Sequence, residues 1–362
     1  MAQFSRVLVF LLESFHISMY PGPMKKISIS DVAKYADVSI ATTSYALSGS
    51  GRVAKKTREK VLKAAGELGF IRDESAVRLR TGRSTMLGVI INDISNPFFN
   101  EFVASFEATA WAEGYMTILC TSQDDFERQN RLLSGLVSQG VAGVVISPAH
   151  GTGLNNFPLL EQRNIPNVLC IRGLDDENNF VGTDDLAAGK LAARYLLENG
   201  HRHLCFVGGY QHTTTWVRRK LGIQLAIEEF GDGTAVFEVV SGGEGSEFGR
   251  TSVGDILRRK ETQHPAIVGF NDMTAIGAYQ AINEAGESVG RSVSVVGIDN
   301  IPASAQVLPS LTTVEIFPRR LGEVAARQLI EQIKGSDRVD TMTMIKPALV
   351  ERDSVACLGK TS

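Results

Sequence analysis

Two hydrophobic patterns divide the chain, and the longer one begins near Met86. Short runs of consecutive apolar residues alternate there with amphipathic segments of helical period, near 98–113, 126–139 and 154–163. Unbroken apolar strands between helices are typical of parallel sheets that are covered on both faces. The runs form one set, LGVIIN, YMTILC, GVVIS and NVLCI, and a second set after about residue 185, HLCFVGG, FEVV, AIVGF and VSVVGI. We therefore predict two similar, doubly wound α/β subdomains, with a ligand site in the cleft at the carboxyl ends of their strands.

A different pattern, with a period of 3.6 residues, occupies the front of the chain. It predicts a first helix over 31–36, a turn at Asp37, and a second helix that Ser39 can cap with its hydroxyl. A third amphipathic helix over 55–68 ends at Gly69, where a left-handed residue is favoured. Three short helices with a tight turn between the first two form a helix-turn-helix, a fold that places its second helix in the major groove of DNA.

Charge separates the same two parts of the chain. The 362 residues carry a net charge of −3, but residues 24–83 contain 13 Lys and Arg against 6 Asp and Glu. The remainder is correspondingly acidic. A basic module joined to an acidic one is the pattern expected when only the first module meets phosphate groups. A merely solvated basic face remains the alternative on charge alone.

The four cysteines and the extreme N-terminus exclude several other classes of protein. Cys120, Cys170, Cys205 and Cys357 are far apart and show no CxxC or other metal-ligand spacing, so we expect no metal, no cofactor and a reducing cytoplasm. The apolar run near residues 7–12 is too short for a membrane helix and is followed by Glu13. Residues 1–23 are therefore predicted to be a tail, or to result from an upstream start assignment, and no membrane partner is expected.

The segment "ISISDVAKYADVSIATTSYAL…TREKVLKAAGELGF" resembles the N-terminal signature of the LacI/GalR (lactose-repressor) family of bacterial transcription regulators. The resemblance extends from about Lys25 to Val355. It implies a homodimer that binds a palindromic DNA operator, with a small-molecule effector controlling the affinity. In the family the second helix reads the bases, and the matching DNA-binding residues here are Ser39, Ile40, Ala41, Thr42, Ser44 and Tyr45.

Three residues of this segment depart from the family pattern. Asp37 replaces the usual glycine of the turn, Tyr45 replaces a common arginine, and Ala54 stands where a Ser or Thr caps the third helix. Loss of that cap costs roughly 0.5 to 2 kcal/mol if nothing compensates. Ile40 and Ala41 offer methyl contacts to thymine rather than hydrogen bonds, so we expect an operator different from the family's usual one.

A short basic segment, 73–84, follows the helix-turn-helix. The resemblance implies a hinge helix here that folds on the operator and wedges Leu79 into the minor groove, with Ala76 on the same face. The alternative is a plain basic linker.

Polar pairs follow four of the predicted strands: Asn92 and Asp93, Asp184 and Asp185, Asn271 and Asp272, and Asp299 and Asn300. Some of these side chains are expected to cap helices.

The resemblance to the family implies further effector-binding residues. These are the aromatic side chains of "NPFF", which line the pocket, Arg219, which matches an arginine that clamps effector, and Asp299, which matches an acid that accepts effector hydroxyls. Arginine, carboxylates and ring faces together suit a sugar or, given Arg172, a sugar phosphate, while a purine effector or corepressor is the alternative. The predicted effector-binding residues are Asn92, Phe98, Phe99, Arg172, Arg219, Glu244, Asn271, Asp272 and Asp299.

The predicted domains are a tail (1–23), the helix-turn-helix (24–72), the hinge (73–84), the effector-binding and dimerisation domain (85–356) and a short tail (357–362). Within the effector-binding and dimerisation domain, the N-subdomain takes about 85–184 and 315–340, and the C-subdomain about 185–314 and 341–356.

A periplasmic-binding-protein-like fold also occurs in the solute-binding proteins of transporters. Such a protein would need a secretion signal and would not carry a helix-turn-helix. Catalysis is not expected, because no nucleophile elbow, P-loop or metal spacing is present. The loose GxGxxxG at Gly243, Gly245 and Gly249 is better explained as an effector loop than as a dinucleotide site.

Overall fold

The computed structural model describes residues 27–49, 51–71, 84–153, 157–174, 179–259, 264–336 and 342–359. The chain divides into two compact units, Met1–Arg83 and Ser84–Ser362. The predicted tail and the hinge residues Ala76 and Leu79 lie outside the described residues. Among the described residues, no helix combines the length and apolar character needed to cross a membrane.

The first unit contains the three predicted helices, α1 (Ile29–Tyr35), α2 (Ile40–Ser48) and α3 (Lys55–Leu68). They enclose a small core that includes Val32, Ala46 and Val61. Helix α1 begins two residues before the predicted start because Ser28 caps it. The Ser28 backbone N–H donates to the Asp31 carboxylate over 2.8 Å, and the Ser28 hydroxyl accepts from the Asp31 backbone, which closes a capping box.

The second unit contains two six-stranded sheets in one α/β architecture, as predicted. The first half of this unit contains β1 (Met86–Ile91), α4 (Pro97–Ala112), β2 (Met116–Thr121), α5 (Phe126–Gln139), β3 (Gly143–Ile146), α6 (Pro158–Gln162), β4 (Asn167–Cys170), β5 (Phe180–Thr183) and α7 (Asp185–Glu198). The second half contains β6 (His203–Val207), α8 (Thr214–Phe230), β7 (Val236–Val240), α9 (Ser246–Arg259), β8 (Ala266–Gly269), α10 (Asp272–Glu284), β9 (Ser294–Asp299), β10 (Thr312–Glu315), α11 (Pro318–Lys334), β11 (Met342–Ile345) and β12 (Ala348–Val350). The first sheet has the order β11-β5-β4-β3-β1-β2 and is parallel throughout, whereas the second has the order β12-β10-β9-β8-β6-β7 with only β12 antiparallel.

The chain crosses between the two sheets three times. It leaves the first sheet after β5, returns from β10 to the first subdomain at α11, and crosses again between β11 and β12. The last crossing corrects the predicted boundary at residue 341. Met342–Ile345 pairs in parallel with Phe180–Thr183 of the first sheet, so this strand belongs to the N-subdomain. The sequence pattern missed it because a four-residue strand at a sheet edge is short and only half-buried.

Candidate functional site

Helix α2 presents a capped end and a partly apolar face to solvent. The Ser39 hydroxyl accepts from the Thr42 backbone N–H over 3.1 Å and so caps the helix. The side chains of Ile40 and Tyr45 are 54% and 49% exposed, although residues of this size usually pack into a core. Thr43, on the opposite face, is fully buried. Of the predicted DNA-reading residues, Ser39, Ile40, Ala41 and Tyr45 are therefore exposed, and Thr42 and Ser44 are half-buried.

Two of the residues that depart from the family pattern, in the turn and at the start of the third helix, affect the local structure. Asp37 has a φ of 49°, in the left-handed region that an aspartate enters less readily than glycine does. Ala54 is the N-cap of α3, and no side chain caps that helix. The turn and the third helix therefore form without the residues best suited to them.

In the second unit, a cavity of about 330 Å³ lies where the carboxyl ends of both sheets face each other. Seven of the nine predicted effector-binding residues line it. Phe98 and Phe99 form one wall with their rings edge to face, 5.3 Å between centroids and 78° between planes. The complete lining is Asp93, Ser95, Asn96, Phe98, Phe99, Ile171, Arg172, Thr215, Arg219, Glu244, Gly245, Ser246, Glu247, Phe270, Asn271, Met273, Asp299 and Ile316.

Arg219 on α8 is fixed at the back of the cavity by three contacts. Its Nε atom donates to the Asp185 carboxylate over 2.8 Å, and its Nη1 atom donates to the backbone carbonyl of Phe270. Its guanidinium also lies over the Phe270 ring, 4.9 Å from the centroid. Both members of the ion pair are buried, and burial raises the pKa of Asp185 while the adjacent guanidinium of Arg219 opposes that rise. Arg219 thus joins α7, α8 and the end of β8 at the cavity wall.

Arg172 crosses the other side of the cavity. It donates to the carboxylate of Asp124 and lies 3.7 Å from the carboxylate of Glu244. Burial raises the pKa of Glu244, and the Arg172 guanidinium counteracts this. The second oxygen of Asp124, Oδ2, is buried without a hydrogen-bond partner among the described residues. Arg172 therefore links the two subdomains across the cleft through carboxylates on each side.

Asp299 ends β9 with its carboxylate on the cavity wall. The residue is buried, has a φ of 134°, and makes no hydrogen bond through its carboxylate within the described part of the chain. Burial raises the pKa of Asp299 well above its usual range, with Arg219 opposing and Asp272 reinforcing the rise. Thr215 nearby has a buried hydroxyl that also lacks a partner among the described residues. Strained backbone and unused polar atoms together are typical of a binding site.

Two predicted effector-binding residues do not line the cavity, and their assignment is corrected. Asn92 is buried behind the wall, where its amide donates to Asp124 and to the Pro148 carbonyl, each over 3.1 Å. Asp272 is fully buried and accepts from the Ile301 backbone over 2.9 Å and from two hydroxyls. Each side chain has its hydrogen-bonding capacity satisfied by the protein, so both support the site rather than contact ligand.

The other strand-end residues divide between capping and the cavity. Asp184 caps α7, and Asn271 caps α10 with its oxygen while still lining the cavity. Sequence reasoning missed Ser95, Thr215 and Asp124 as members or supports of the site. Ser95 follows the predicted strand-end pair by two residues and was detectable, whereas Asp124 shares no motif with its partners and only the folded chain brings it to Arg172.

The glycine-rich segment after β7 is part of the cavity wall. Glu244 and Gly245 line the cavity. Gly249 has a packing role, since an added Cβ would lie 2.1 Å from the Thr274 carbonyl oxygen on α10. Close approach of α9 and α10 therefore explains this glycine.

Comparisons with known proteins agree with this architecture. The model of bacterial regulatory proteins of the lacI family matches residues 28–73, and the model of the periplasmic binding protein-like domain matches residues 193–355. The chain is 33% identical over 310 residues to the ribose operon repressor of Halalkalibacterium halodurans, which covers 85% of this chain and 90% of that protein. It is 31% identical over 332 residues to the HTH-type transcriptional repressor PurR of Histophilus somni, covering 91% and 99%.

Solved structures show the same fold. The crystal structure of the lac repressor dimer bound to operator and the anti-inducer ONPF superimposes with a TM-score of 0.81, covering 92% of this chain and all of that one at 24% identity. A LacI family regulator from Enterococcus faecalis V583 with bound ribose gives a TM-score of 0.68, covering 76% of this chain and 100% of that one at 27% identity. By both its sequence relatives and its architecture, the chain belongs to the LacI family of bacterial regulatory proteins.

Proposed function

We propose that the protein is a dimeric transcriptional repressor whose affinity for a palindromic operator is controlled by a neutral sugar in the cleft. The observation that carries the effector assignment is the polar, partly unsatisfied wall around Asp299, next to aromatic rings. A ring sugar presents hydroxyl donors to carboxylates and C–H surfaces to aromatic faces. A cavity of about 330 Å³ is at the small end of ligand sites, which suits a monosaccharide.

The charges on the cavity wall favour a neutral ligand over a phosphorylated one. Four carboxylates line the cavity, and the two arginines there are already paired with carboxylates. A phosphate group would have to displace one of these pairs and would meet the remaining negative charge. The acids on the wall are Asp93, Glu244, Glu247 and Asp299.

The relatives support two effector classes. One relative is named for the ribose operon, and a solved relative holds ribose, whereas others are named PurR. The purine alternative rests on the Phe98 and Phe99 rings, which could stack on a base. We favour the sugar because the buried Asp299 carboxylate and the Thr215 hydroxyl, which has no partner among the described residues, both line the cavity and match several hydroxyl groups.

In the DNA-binding part, we propose that Ile40, Ala41 and Tyr45 contact bases, while Ser39, Thr42 and Ser44 contact bases or phosphates. Their exposure on one capped helix supports this assignment. Ala76 and Leu79 are proposed as the minor-groove contacts from the family resemblance alone.

The test joins a ligand screen to operator binding by the full-length protein. Ribose, other monosaccharides, sugar phosphates and purine bases are added in a thermal-shift assay, where a ligand at 100 times its Kd stabilises the protein by about 2.7 kcal/mol. Operator affinity should fall steeply with salt, with a log–log slope of about −0.9 per neutralised phosphate. Measuring that affinity with and without the ligand separates release from corepression.

A variant lacking residues 24–83 is the matched control. It should respond to the same ligand and lose all operator affinity. Sequence-specific DNA binding by that variant would overturn the repressor assignment. If purine bases raise the melting temperature and monosaccharides do not, the sugar assignment is wrong and the effector is a purine.

A further inference from the structure

A cluster of metal-ligating side chains lies at the opposite end of the second sheet from the cleft. His203 and Cys205 are two residues apart on β6, so their side chains point to the same face of the sheet. Glu238 on β7 is the direct register partner of Cys205. The backbone pairing of two adjacent strands therefore fixes the relative positions of an imidazole, a thiol and a carboxylate.

The ligand atoms of these three residues form an equilateral triangle. His203 Nε2, Cys205 Sγ and Glu238 Oε2 are each 3.8 Å from the other two atoms. The point in the plane of the three atoms that is equally distant from all of them lies about 2.2 Å from each, close to Zn–N, Zn–O and Zn–S bond lengths of about 2.0 to 2.3 Å. A tetrahedral ion lies out of this plane, so the three side chains have to move slightly inward to bind it. No large side-chain movement is needed to bring all three atoms to one ion.

From this geometry we propose that His203, Cys205 and Glu238 form a zinc-binding site in the second subdomain. Nitrogen, thiolate sulfur and carboxylate oxygen are all ligands that Zn²⁺ accepts, and three protein ligands leave a fourth tetrahedral position for water. A cavity of about 730 Å³ adjoins the cluster and is lined by His203, Glu238 and Arg259, so water and the ion can reach it. Cys205 itself is fully buried, which protects the thiolate from other reactions once metal is bound.

The surroundings of Glu238 suit a ligating carboxylate. Its other oxygen, Oε1, accepts a hydrogen bond from the guanidinium of Arg259 at the end of α9. Such outer contacts hold a ligand in position and influence metal affinity. Arg259 is therefore a positioning residue for the site and does not itself bind the ion.

Sequence spacing did not predict this site. His203 and Cys205 lie two residues apart on one strand, but Glu238 lies on another strand and joins them only through the β6–β7 register. The site is independent of the proposed function, because none of its residues lines the effector cavity.

The test measures metal binding by the purified full-length protein. After chelator treatment and dialysis, Zn²⁺ should bind with one equivalent per chain and raise the melting temperature. Co²⁺ should give a thiolate-to-cobalt charge-transfer band in the near ultraviolet that Zn²⁺ displaces. Because Cys205 must lose a proton to bind metal, Zn²⁺ binding should also release protons, measurable with a pH indicator.

Four variants and two controls decide the assignment. Cys205→Ser should abolish the cobalt band, His203→Gln and Glu238→Gln should each lower Co²⁺ affinity at least about 10-fold, and Arg259→Gln should lower it by about 10- to 100-fold. Cys120→Ser and Cys357→Ser should leave the band unchanged. Circular dichroism checks folding, and if Cys205→Ser does not fold, the partly exposed His203 and Glu238 variants decide.

Several outcomes would overturn the proposal: no cobalt band in the wild type, unchanged Co²⁺ affinity in the His203 and Glu238 variants, or a band lost in Cys357→Ser. The last result would identify an adventitious surface thiol. Operator binding and effector response are recorded for the same proteins, so a failed zinc site and a failed repressor assignment give different patterns.

Discussion

At the scale of single residues, Arg219 has a structural role in addition to the effector-binding role predicted for it. It forms a buried ion pair with Asp185, 2.8 Å from Nε to the carboxylate, and it also lines the effector cavity. Removing one partner of a buried pair leaves an uncompensated charge, which is far more costly than the net contribution of the pair. Stability and effector binding must therefore be measured together at this position.

Arg219→Ala is expected to lower the free energy of unfolding by about 3 to 5 kcal/mol in urea titrations, because Asp185 loses its buried partner. The loss of a charge-assisted hydrogen bond should also weaken effector binding by about 10- to 150-fold, or roughly 1.5 to 3 kcal/mol. The double variant Asp185→Asn, Arg219→Gln removes both charges and should recover much of the stability but not the affinity. Full effector affinity in the double variant would show that Arg219 is purely structural.

At the scale of elements, close packing of α7 against α8 places Arg219 at the cavity. A Cβ added at Gly189 of α7 would lie 2.0 Å from the Arg219 carbonyl oxygen, and one at Gly222 of α8 would lie 2.0 Å from the Leu186 carbonyl oxygen. The two backbones thus touch through reciprocal glycines. Any larger residue must separate the helices and carry Arg219 away from Asp185.

Gly189→Ala should therefore destabilise the protein by about 1 to 3 kcal/mol, as overpacking of a tight contact does, and should weaken effector binding. Gly135→Ala is the matched control, because Gly135 lies inside α5 with nothing within 4 Å of its added Cβ. This control should stabilise the protein by up to about 1 kcal/mol through helix propensity. Urea midpoints compare the two, and equal effects would refute the packing argument.

At the scale of the whole molecule, the effector cavity is built from both subdomains of the second unit. Asp93 follows β1 of the first sheet. Glu244 follows β7 of the second sheet, and Asp299 is the last residue of β9 in the same sheet. Arg172 and Glu244 meet across this cleft at 3.7 Å. A ligand in this cavity would contact both subdomains, and the buried acids on the wall make its binding and the stability of the protein dependent on pH.

Effector affinity and ligand-free stability should depend on pH with opposite signs. Burial raises the pKa values of Glu244 and Asp299 in the folded protein, so folding favours their protonated forms. Their contribution to stability therefore falls as the pH rises from about 4, the pKa of these side chains in the unfolded chain, through their raised pKa values in the folded protein. A sugar that donates hydroxyls to the ionised carboxylates should bind more tightly over the same rise. Asp299→Asn should reduce both dependences, as followed by melting temperature and ligand titration. Affinity that falls with rising pH would contradict the assignment of sugar hydroxyls to these acids.

The sequence by itself determined the local structure and the class of the protein. Periodicity and caps located α2, α3 and most strands because those signals depend on neighbours within a few residues. Charge and the signature of the first unit indicated DNA binding, and the strand-end residues indicated a cleft. Seven of the nine residues predicted for that cleft, from strand ends and from the family resemblance, line the cavity. The strand-end residues among them do so because the ends of parallel strands meet by topology.

Only the tertiary structure decided which partners these side chains have. Asp272 and Asn92 occupy the same kind of strand-end position as Asp299, yet the protein satisfies their hydrogen bonds and leaves the Asp299 carboxylate without one among the described residues. The short edge strand β11 and the register that brings Glu238 to Cys205 also depend on pairing between distant segments. Hydrogen-bond satisfaction and strand register are properties of contacts far apart in the chain, and no local pattern in the sequence encodes them.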